Sequence, residues 1–285
     1  MYVQRIAALA ASVALVAAGA ITGATSAAAG PTAARETAAA VAVTIDARRM
    51  ITMPTTLQPG VNEIEVTSAK PSGFQLAQLA EGYTVEDLER DLKGFDKNNI
   101  KSLKKFEANT TLIGGAPSVP DRAARFWVDL DPGTYLALDT YARTNAAKWV
   151  VLTVAGADTG AVMPAGDTVK AVQATKWSKR PKAISRKGTL TFKNRSSENH
   201  FVLLVRMNKG ATLPDLKEFL MSEDGPPPVD FSKSVESAVI SGGRSVAFDY
   251  RLPKGTYAMM CFWPDASMGG MPHALMGMVR TIRLT

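Results

Sequence analysis

The sequence contains a single cysteine and only two histidines among 285 residues, and just 7% of its residues are aromatic. One cysteine cannot form a disulfide within the chain, so its thiol must be buried, bonded to another molecule or held by a metal. These scarce residues are concentrated. The eighteen residues from Cys261 to Met278 contain the cysteine, one histidine and four of the twelve methionines. All three residue types ligate soft transition metals, which packing alone does not require.

The sequence has no apolar run of the roughly 20 residues that a membrane-spanning helix needs. The N-terminal run follows the cationic start MYVQR, is interrupted by Gly19 and Gly23, and ends in an Ala-rich segment. This pattern is typical of a secretory signal peptide, which we predict over residues 1–29, followed by a flexible segment over 30–42. We therefore expect a secreted or cell-envelope protein with no stable membrane span after cleavage.

The positive charge is unevenly distributed. The net charge is +7, yet residues 30–159 carry 14 basic and 16 acidic side chains, and residues 160–285 carry 18 and 10. The densest basic stretch predicts docking of an acidic redox partner or an anionic envelope component, through Lys176, Lys179, Arg180, Lys182, Arg186 and Lys187. A solvated face that only maintains solubility is the alternative. No nucleic-acid motif accompanies the stretch, and we expect no nucleic-acid partner.

The chain carries an internal repeat at offsets between 122 and 128 residues. The segment GFQLAQLAEGYTVEDLERDL from Gly73 aligns with FVLLVRMNKGATLPDLKEFL from Phe201, and DPGTYLALD aligns with LPKGTYAMMC. We predict two homologous domains over residues 43–155 and 169–285, joined by a linker over 156–168.

Each domain is predicted to be built from short β-strands. Segments such as GTLTFKN and SVAFDYRL alternate apolar and polar residues, whereas HFVLLVRM is a continuous apolar run. One short helix is expected in each domain, begun by Thr84 or Thr212 with Asp87 or Asp215 three residues later, the spacing of a capping box. Turn signals every ten residues or so favour an all-β fold of two β-sandwiches.

The candidate metal ligands all fall in the second domain. His200, Cys261 and the segment PHALMGM align with Ser72, Asp139 and a gap in the first domain. The chain's only thiol and both of its imidazoles are therefore available to one site. Residues of these types can ligate a soft transition metal.

The second domain resembles the cupredoxin family of blue copper proteins, and specifically its plastocyanin-like members. The resemblance rests on His200 after the turn NRSSEN, on KGTYAMMC, on HALMGM and on the closing strand MVRTIRL. It implies two tandem Greek-key β-sandwiches, with one copper ion in the second and none in the first. The implied ligands are His200, Cys261, His273 and Met278.

The loop between the cysteine and the second histidine departs from the family. It contains eleven residues, FWPDASMGGMP, where the family has two to four. A longer loop adds little closure entropy, so ligation by both residues is still expected. Other methionines remain alternative axial or additional ligands, namely Met276, Met271 and Met268.

The resemblance implies one-electron transfer or copper carriage outside the cytoplasmic membrane, and no catalytic residue is assigned. Multicopper oxidases and copper nitrite reductases need more histidines than this chain has. A Cys261–His273 nucleophilic dyad lacks an orienting residue and an oxyanion loop. Two other functions remain open, a metal-free interaction module of the cell envelope and a Met-rich Cu(I) storage or delivery protein.

Overall fold

The computed structural model describes residues 40–142 and 149–285, so the predicted signal peptide and residues 30–39 of the predicted flexible segment lie outside the described residues. The last two residues of that segment, 41 and 42, belong instead to the first strand, where they pair with a neighbouring strand. Within the described residues the N-terminal unit (residues 41–154) comprises β1 Val41–Ile45, β2 Ile51–Thr52, β3 Thr56–Leu57, β4 Gly60–Ser68, β5 Ser72–Leu79, α1 Val85–Asp96, α2 Ile100–Asn109, β6 Thr110–Ser118, β7 Ala124–Leu130, β8 Gly133–Asp139 and β9 Trp149–Val154.

The C-terminal unit (residues 167–285) follows the same general plan. Its elements are β10 Asp167–Gln173, β11 Lys176–Trp177, β12 Ala183–Ile184, β13 Lys187–Asn194, β14 Leu203–Met207, α3 Leu213–Ser222, β15 Val229–Glu236, β16 Ser245–Arg251, β17 Gly255–Met260, β18 Pro264–Asp265, β19 Met271–Pro272 and β20 Val279–Leu284. Strand β10 begins at Asp167, so it includes the last two residues of the segment predicted as a linker.

The strands form three large sheets. An eight-stranded sheet, in the order β11-β10-β13-β16-β7-β4-β1-β2, runs through both units. Its two halves join where β16 pairs antiparallel with β7, with Phe248 opposite Phe126. Each unit adds one five-stranded sheet, β3-β9-β8-β5-β6 or β12-β20-β17-β14-β15. The β7–β16 pairing gives each of these two strands a partner on the side where its unit would otherwise present a free edge.

The two five-stranded sheets have matching strand orders and directions. In each, a short outer strand is parallel to its neighbour, and the remaining pairs are antiparallel. Each sheet also contains a tyrosine whose hydroxyl donates to a main-chain carbonyl four residues earlier, Tyr135 to Asp131 and Tyr257 to Pro253, both at 2.8 Å.

Hydrophobic patterning accounts for the layers. In β4, alternate residues are buried, as expected for a strand with one face on the core, whereas the first six residues of β5 are all buried. One continuous core lies between the eight-stranded sheet and both five-stranded sheets. The predicted all-β class, with packed sheets and few helices, is confirmed.

Both predicted capping boxes are present, at Thr84–Asp87 and at Thr212–Asp215. The N-terminal unit nevertheless has two helices where the sequence predicted one. Helix α1 ends with Lys97 as its C-cap, and Asn99 then caps α2 by accepting from the amides of Lys101 and Ser102. The KNN sequence therefore separates two helices, because asparagine both tolerates positive φ and caps a new helix. Among the described residues, no helix is long and apolar enough to cross a membrane.

Candidate metal centre

Three elements of the C-terminal unit bring His200, Cys261 and His273 together. His200 lies before β14 and exchanges two main-chain hydrogen bonds with Ile240, of 3.0 and 2.8 Å. The sequence predicted that a regular strand would begin at His200, but the strand begins at Leu203 and His200 forms an isolated bridge. Cys261 directly follows β17, and His273 directly follows β19. The three side chains are completely buried.

The ligand atoms converge on one point. The Sγ of Cys261 lies 3.5 Å from Nδ1 of His200 and 3.9 Å from Nδ1 of His273, and the two Nδ1 atoms are 3.1 Å apart. Atoms that lie ~2.0–2.3 Å from a common ion and ~120° apart are about 3.5–3.7 Å from one another. The observed separations bracket this range, so the three residues fit a trigonal metal site.

Burial sets the protonation of this cluster. It lowers the pKa of His200 to about 3, with a further contribution from His273, and it lowers the pKa of His273 to about 4. Both imidazoles are therefore neutral at physiological pH, the form in which they ligate metals. Burial also raises the pKa of the Cys261 thiol to about 12, although the amides of Phe201 and Trp263 donate to its sulfur. The thiol is therefore protonated at physiological pH, and a metal that bound this sulfur would have to displace the proton.

The outer nitrogens of the two rings have no hydrogen-bond partner. Nε2 of His200 and Nε2 of His273 are both buried and unpaired. The nearest carboxylate oxygen to the second of these is Oδ2 of Asp265, at 4.0 Å. Burial opposes ionisation of Asp265, but hydrogen bonds from Ser267 and Met268 outweigh it and hold the pKa of this carboxyl below its usual range. Asp265 is thus an anion near the imidazole of a candidate ligand, and a carboxylate is a common outer partner of a metal-bound histidine.

The eleven-residue loop is closed at its base. Strands β18 and β19 pair with Pro264 opposite Pro272, forming a hairpin over residues 264–272 that we call the ligand hairpin. The amide of His273 donates to the carbonyl of Trp263 at 2.9 Å. Only Phe262 and Trp263 therefore separate Cys261 from the base of the hairpin. The sequence analysis predicted no hairpin here, although the Gly269-Gly270 pair could have indicated its turn, where both residues have positive φ, 69° and 84°.

The methionines differ in environment. Met278 is completely buried and belongs to the same core cluster as Cys261. Its amide donates to the carbonyl of His273, and its carbonyl accepts from Nε1 of Trp177 at 3.0 Å. Met276 is partly buried. Met268 and Met271, on the ligand hairpin, are 53% and 44% exposed. They face solvent, whereas the three candidate ligands are enclosed.

The matching position in the N-terminal unit holds an ion pair. Asp139 aligns with Cys261, and its fully buried side chain lies 2.5 Å from Nη1 of Arg49. Its other oxygen accepts from the amides of Gly73 and Tyr141. A charged aspartate, paired with arginine and bonded to two amides, therefore stands where the C-terminal unit has its thiol.

Two neighbours of the site, Asp265 and Glu107, were not predicted from the sequence. Glu107 lies on α2 of the N-terminal unit, and its Oε1 accepts from Nε1 of Trp263 at 2.7 Å. Nothing in the local pattern around Glu107 distinguishes it from other charged residues on an amphipathic helix.

The chain is similar to several solved structures, each at low sequence identity. It matches the solved structure of reduced auracyanin from Roseiflexus castenholzii with 18% identity, over 41% of this chain and 94% of that one, at a TM-score of 0.26. It matches auracyanin A, a blue copper protein from Chloroflexus aurantiacus, with 18% identity, over 41% and 96%, at 0.26. A laccase-like multicopper oxidase from Ochrobactrum matches with 9% identity, over 86% and 66%, at 0.25. With such TM-scores, the similarities assign neither a family nor a function to this chain. No protein-family model and no curated protein matches the sequence.

Proposed function

We propose that this protein is an exported copper protein of the cupredoxin type, which transfers single electrons or carries copper outside the cytoplasmic membrane. One ion is held in the C-terminal unit by His200, Cys261 and His273, with Met278 as the axial ligand. The N-terminal unit is a related sandwich without a metal. The observation that carries this proposal is the convergence of one sulfur and two Nδ1 atoms, at 3.1 to 3.9 Å, inside a buried cluster.

The donor set favours copper over other ions. Two imidazoles, one thiolate and a thioether combine borderline and soft ligands, whereas magnesium and calcium prefer oxygen. A copper ion bound there supplies a one-electron couple between Cu(I) and Cu(II). The protein's part is to hold the ligands rigidly and to exclude water, and the complete burial of all three side chains serves both purposes. A rigid set of ligands keeps the structural rearrangement between the two oxidation states small.

Electron transfer or carriage is preferred to catalysis because the chain has few further ligands to offer. Both of its histidines lie in the one cluster. A second copper site of the multicopper-oxidase type, built from several imidazoles, therefore has no residues to form it. We assign no catalytic residue.

The Met-rich Cu(I) alternative is weakened by the exposure of Met268 and Met271, since side chains half open to solvent are poorly placed to enter a closed site. The metal-free interaction module would need a surface for a partner, and a basic groove offers one. Lys170, Arg180 and Lys182 line a groove of about 510 Å³, and in the described part of the chain no ion pair engages them. An acidic protein or anionic envelope polymer would suit this groove as a partner, for a copper protein and for a scaffold alike.

The test is a titration of the purified protein with Cu(II), followed by visible absorption and electron paramagnetic resonance. We expect an intense sulfur-to-copper charge-transfer band, complete at one ion per chain. Cys261→Ser should abolish the band, and His273→Ala should weaken copper binding strongly. The double variant Met268→Leu/Met271→Leu is the matched control and should retain the spectrum.

A protein that stays colourless but binds Cu(I), and loses that binding in the Met268→Leu/Met271→Leu variant, would establish the storage function instead. Binding of neither ion would overturn the copper proposal and leave the interaction module.

A further inference from the structure

We propose that Trp263 and Glu107 form a latch through which the N-terminal unit holds the Cys261–His273 loop closed over the metal centre. Both are positioning residues, since neither supplies a ligand atom. The inference deepens the proposed function and rests on it for the identity of the metal. It also gives the metal-free unit a specific role, that of preorganising its neighbour's site.

The main chain of Trp263 contacts both ends of the loop, at Cys261 and at His273. Trp263 lies two residues after Cys261, and its carbonyl accepts the hydrogen bond from the amide of His273. Its own amide donates to the Cys261 sulfur. Contacts that hold the side chain of Trp263 in place therefore also restrain the main chain between Cys261 and His273.

The side chain of Trp263 is fixed by the other unit. Its indole Nε1 donates to Oε1 of Glu107 at 2.7 Å, a short hydrogen bond to a carboxylate. Its ring packs between both helices of the N-terminal unit, with centroids 6.4 Å from Phe95 on α1 and 6.2 Å from Phe106 on α2. Aromatic pairs at these distances add to the energy of burial.

The ligand hairpin itself rests on the same surface. Ala266 is buried in a cluster otherwise formed mainly by apolar side chains of α1, α2 and the adjoining strands. A Cβ built on Gly270 would lie 2.8 Å from Cδ1 of Ile100, the first residue of α2. The helices of the N-terminal unit thus contact the hairpin at its base and near its turn.

His200 is supported from the same side. Its bridge partner Ile240 follows Val239, whose amide and carbonyl are both bonded to the side-chain amide of Gln75 on β5, at 3.0 Å each. The amide of Ser241 donates to the carbonyl of Leu112 on β6. The N-terminal unit therefore contacts the segments next to both histidines, and the latch is the contact that acts on the long loop between Cys261 and His273.

The latch predicts how readily the loop opens, and Cys261 reports this directly because it is the only thiol in the chain. The experiment measures the rate at which a thiol reagent, dithiobis-nitrobenzoate, labels the metal-free full chain, and the rate at which a chelator removes copper from the loaded protein. The variants are Trp263→Phe, Glu107→Ala and Glu107→Gln. Trp127→Phe is the matched control, since Nε1 of Trp127 donates to Glu63 at 3.1 Å, away from the loop.

We expect Trp263→Phe and Glu107→Ala to label about tenfold faster than the unchanged protein, the effect of losing one hydrogen bond to a charged acceptor. Copper loss should accelerate by a similar factor. Glu107→Gln, which keeps an acceptor oxygen, should label close to the original rate, and Trp127→Phe should match it.

Unchanged labelling in both Trp263→Phe and Glu107→Ala would overturn the latch. Equal acceleration in Trp127→Phe would also overturn it, because the effect would then be general destabilisation. Since labelling needs no metal, the latch can succeed or fail whether or not the protein binds copper, and the Cu(II) titration decides that question separately.

Discussion

The main-chain amide of His273 donates a 2.9 Å hydrogen bond to the carbonyl of Trp263. This contact brings the two ends of the eleven-residue loop between Cys261 and His273 close together. The nine residues between Trp263 and His273 fold back on themselves as the ligand hairpin, with Asp265 opposite Met271. The distance between the two candidate ligands, Cys261 and His273, is therefore set by Phe262 and Trp263 and not by the full length of the loop. An insertion that closes on itself leaves the ends of the loop where a shorter loop would place them.

The turn of the ligand hairpin should be sensitive to glycine replacement. Gly269 and Gly270 both have positive φ, so alanine at either position costs about 1 kcal/mol of backbone strain. Only the Cβ of Gly270→Ala would press on Ile100. We expect Gly270→Ala to lower the thermal midpoint more and to speed copper release, measured by chelator competition. Equal effects from Gly269→Ala would show that the contact with Ile100 is unimportant.

Replacing the buried Met278 with leucine should shift the reduction potential. The two side chains are similar in volume, so the fold should lose less than about 1.5 kcal/mol. Loss of a weak axial thioether removes a ligand to Cu(II), and we expect a higher potential in voltammetry of the loaded protein. Met276→Leu is the control and should leave the potential unchanged. A shift in the control alone would transfer the axial role to Met276.

Copper binding should release a proton from Cys261. The thiol is protonated below a pKa of about 12, whereas the imidazoles, with pKa values of about 3 and 4, are already neutral at pH 5. One proton displaced per ion makes affinity rise about tenfold per pH unit between about pH 5 and 8. Competition titrations with a chelator across this range would measure the slope. Cys261→Ser should give a nearly flat profile, and a flat profile in the unchanged protein would contradict thiolate ligation.

Glu236 should give the two-unit assembly a pH-dependent stability. It accepts from the hydroxyl of Tyr141 at 2.7 Å, and burial raises the pKa of this carboxyl above its ordinary 4.5. The folded protein therefore binds more protons than the unfolded chain just above pH 4.5, and its stability falls as the pH rises through this window. Glu236→Gln keeps an acceptor for Tyr141 and removes the charge. We expect the variant to be more stable at pH 7 and to lose this advantage toward pH 4.5, in urea denaturation at both values.

The ion pair of the N-terminal unit should matter for stability alone. Asp139→Ala leaves Arg49 without its carboxylate and leaves the amides of Gly73 and Tyr141 without an acceptor, which should cost about 3 kcal/mol. Asp139→Asn keeps an oxygen for both amides and should cost less. Denaturant unfolding measures both. Copper stoichiometry should stay at one ion per chain in each variant, and a change would contradict the assignment of the metal to the C-terminal unit.

Much of the fold, and the candidate ligands of the site, could be predicted from local sequence. The strands follow from alternation in segments such as GTLTFKN, and both capping boxes follow from a threonine and an aspartate three residues apart. The candidate ligands could be chosen because the chain has so few residues of their kinds. The second helix of the N-terminal unit could not be predicted in this way. Its N-cap, Asn99, lies in the sequence KNN, which is equally typical of the end of a helix.

The sequence by itself determined which side chains are available for chemistry, one thiol and two imidazoles, and the alternating patterns that make the chain β-rich. Only the tertiary structure decided that Sγ and two Nδ1 atoms lie within 3.9 Å of one another, and that α1 and α2 of one unit hold the loop of the other. The physical reason is the separation along the sequence of the residues that interact. Strand alternation and helix caps depend on neighbours a few residues away. Trp263 and Glu107, in contrast, are 156 residues apart and meet through the packing of the two units, which β7 and β16 join in one sheet.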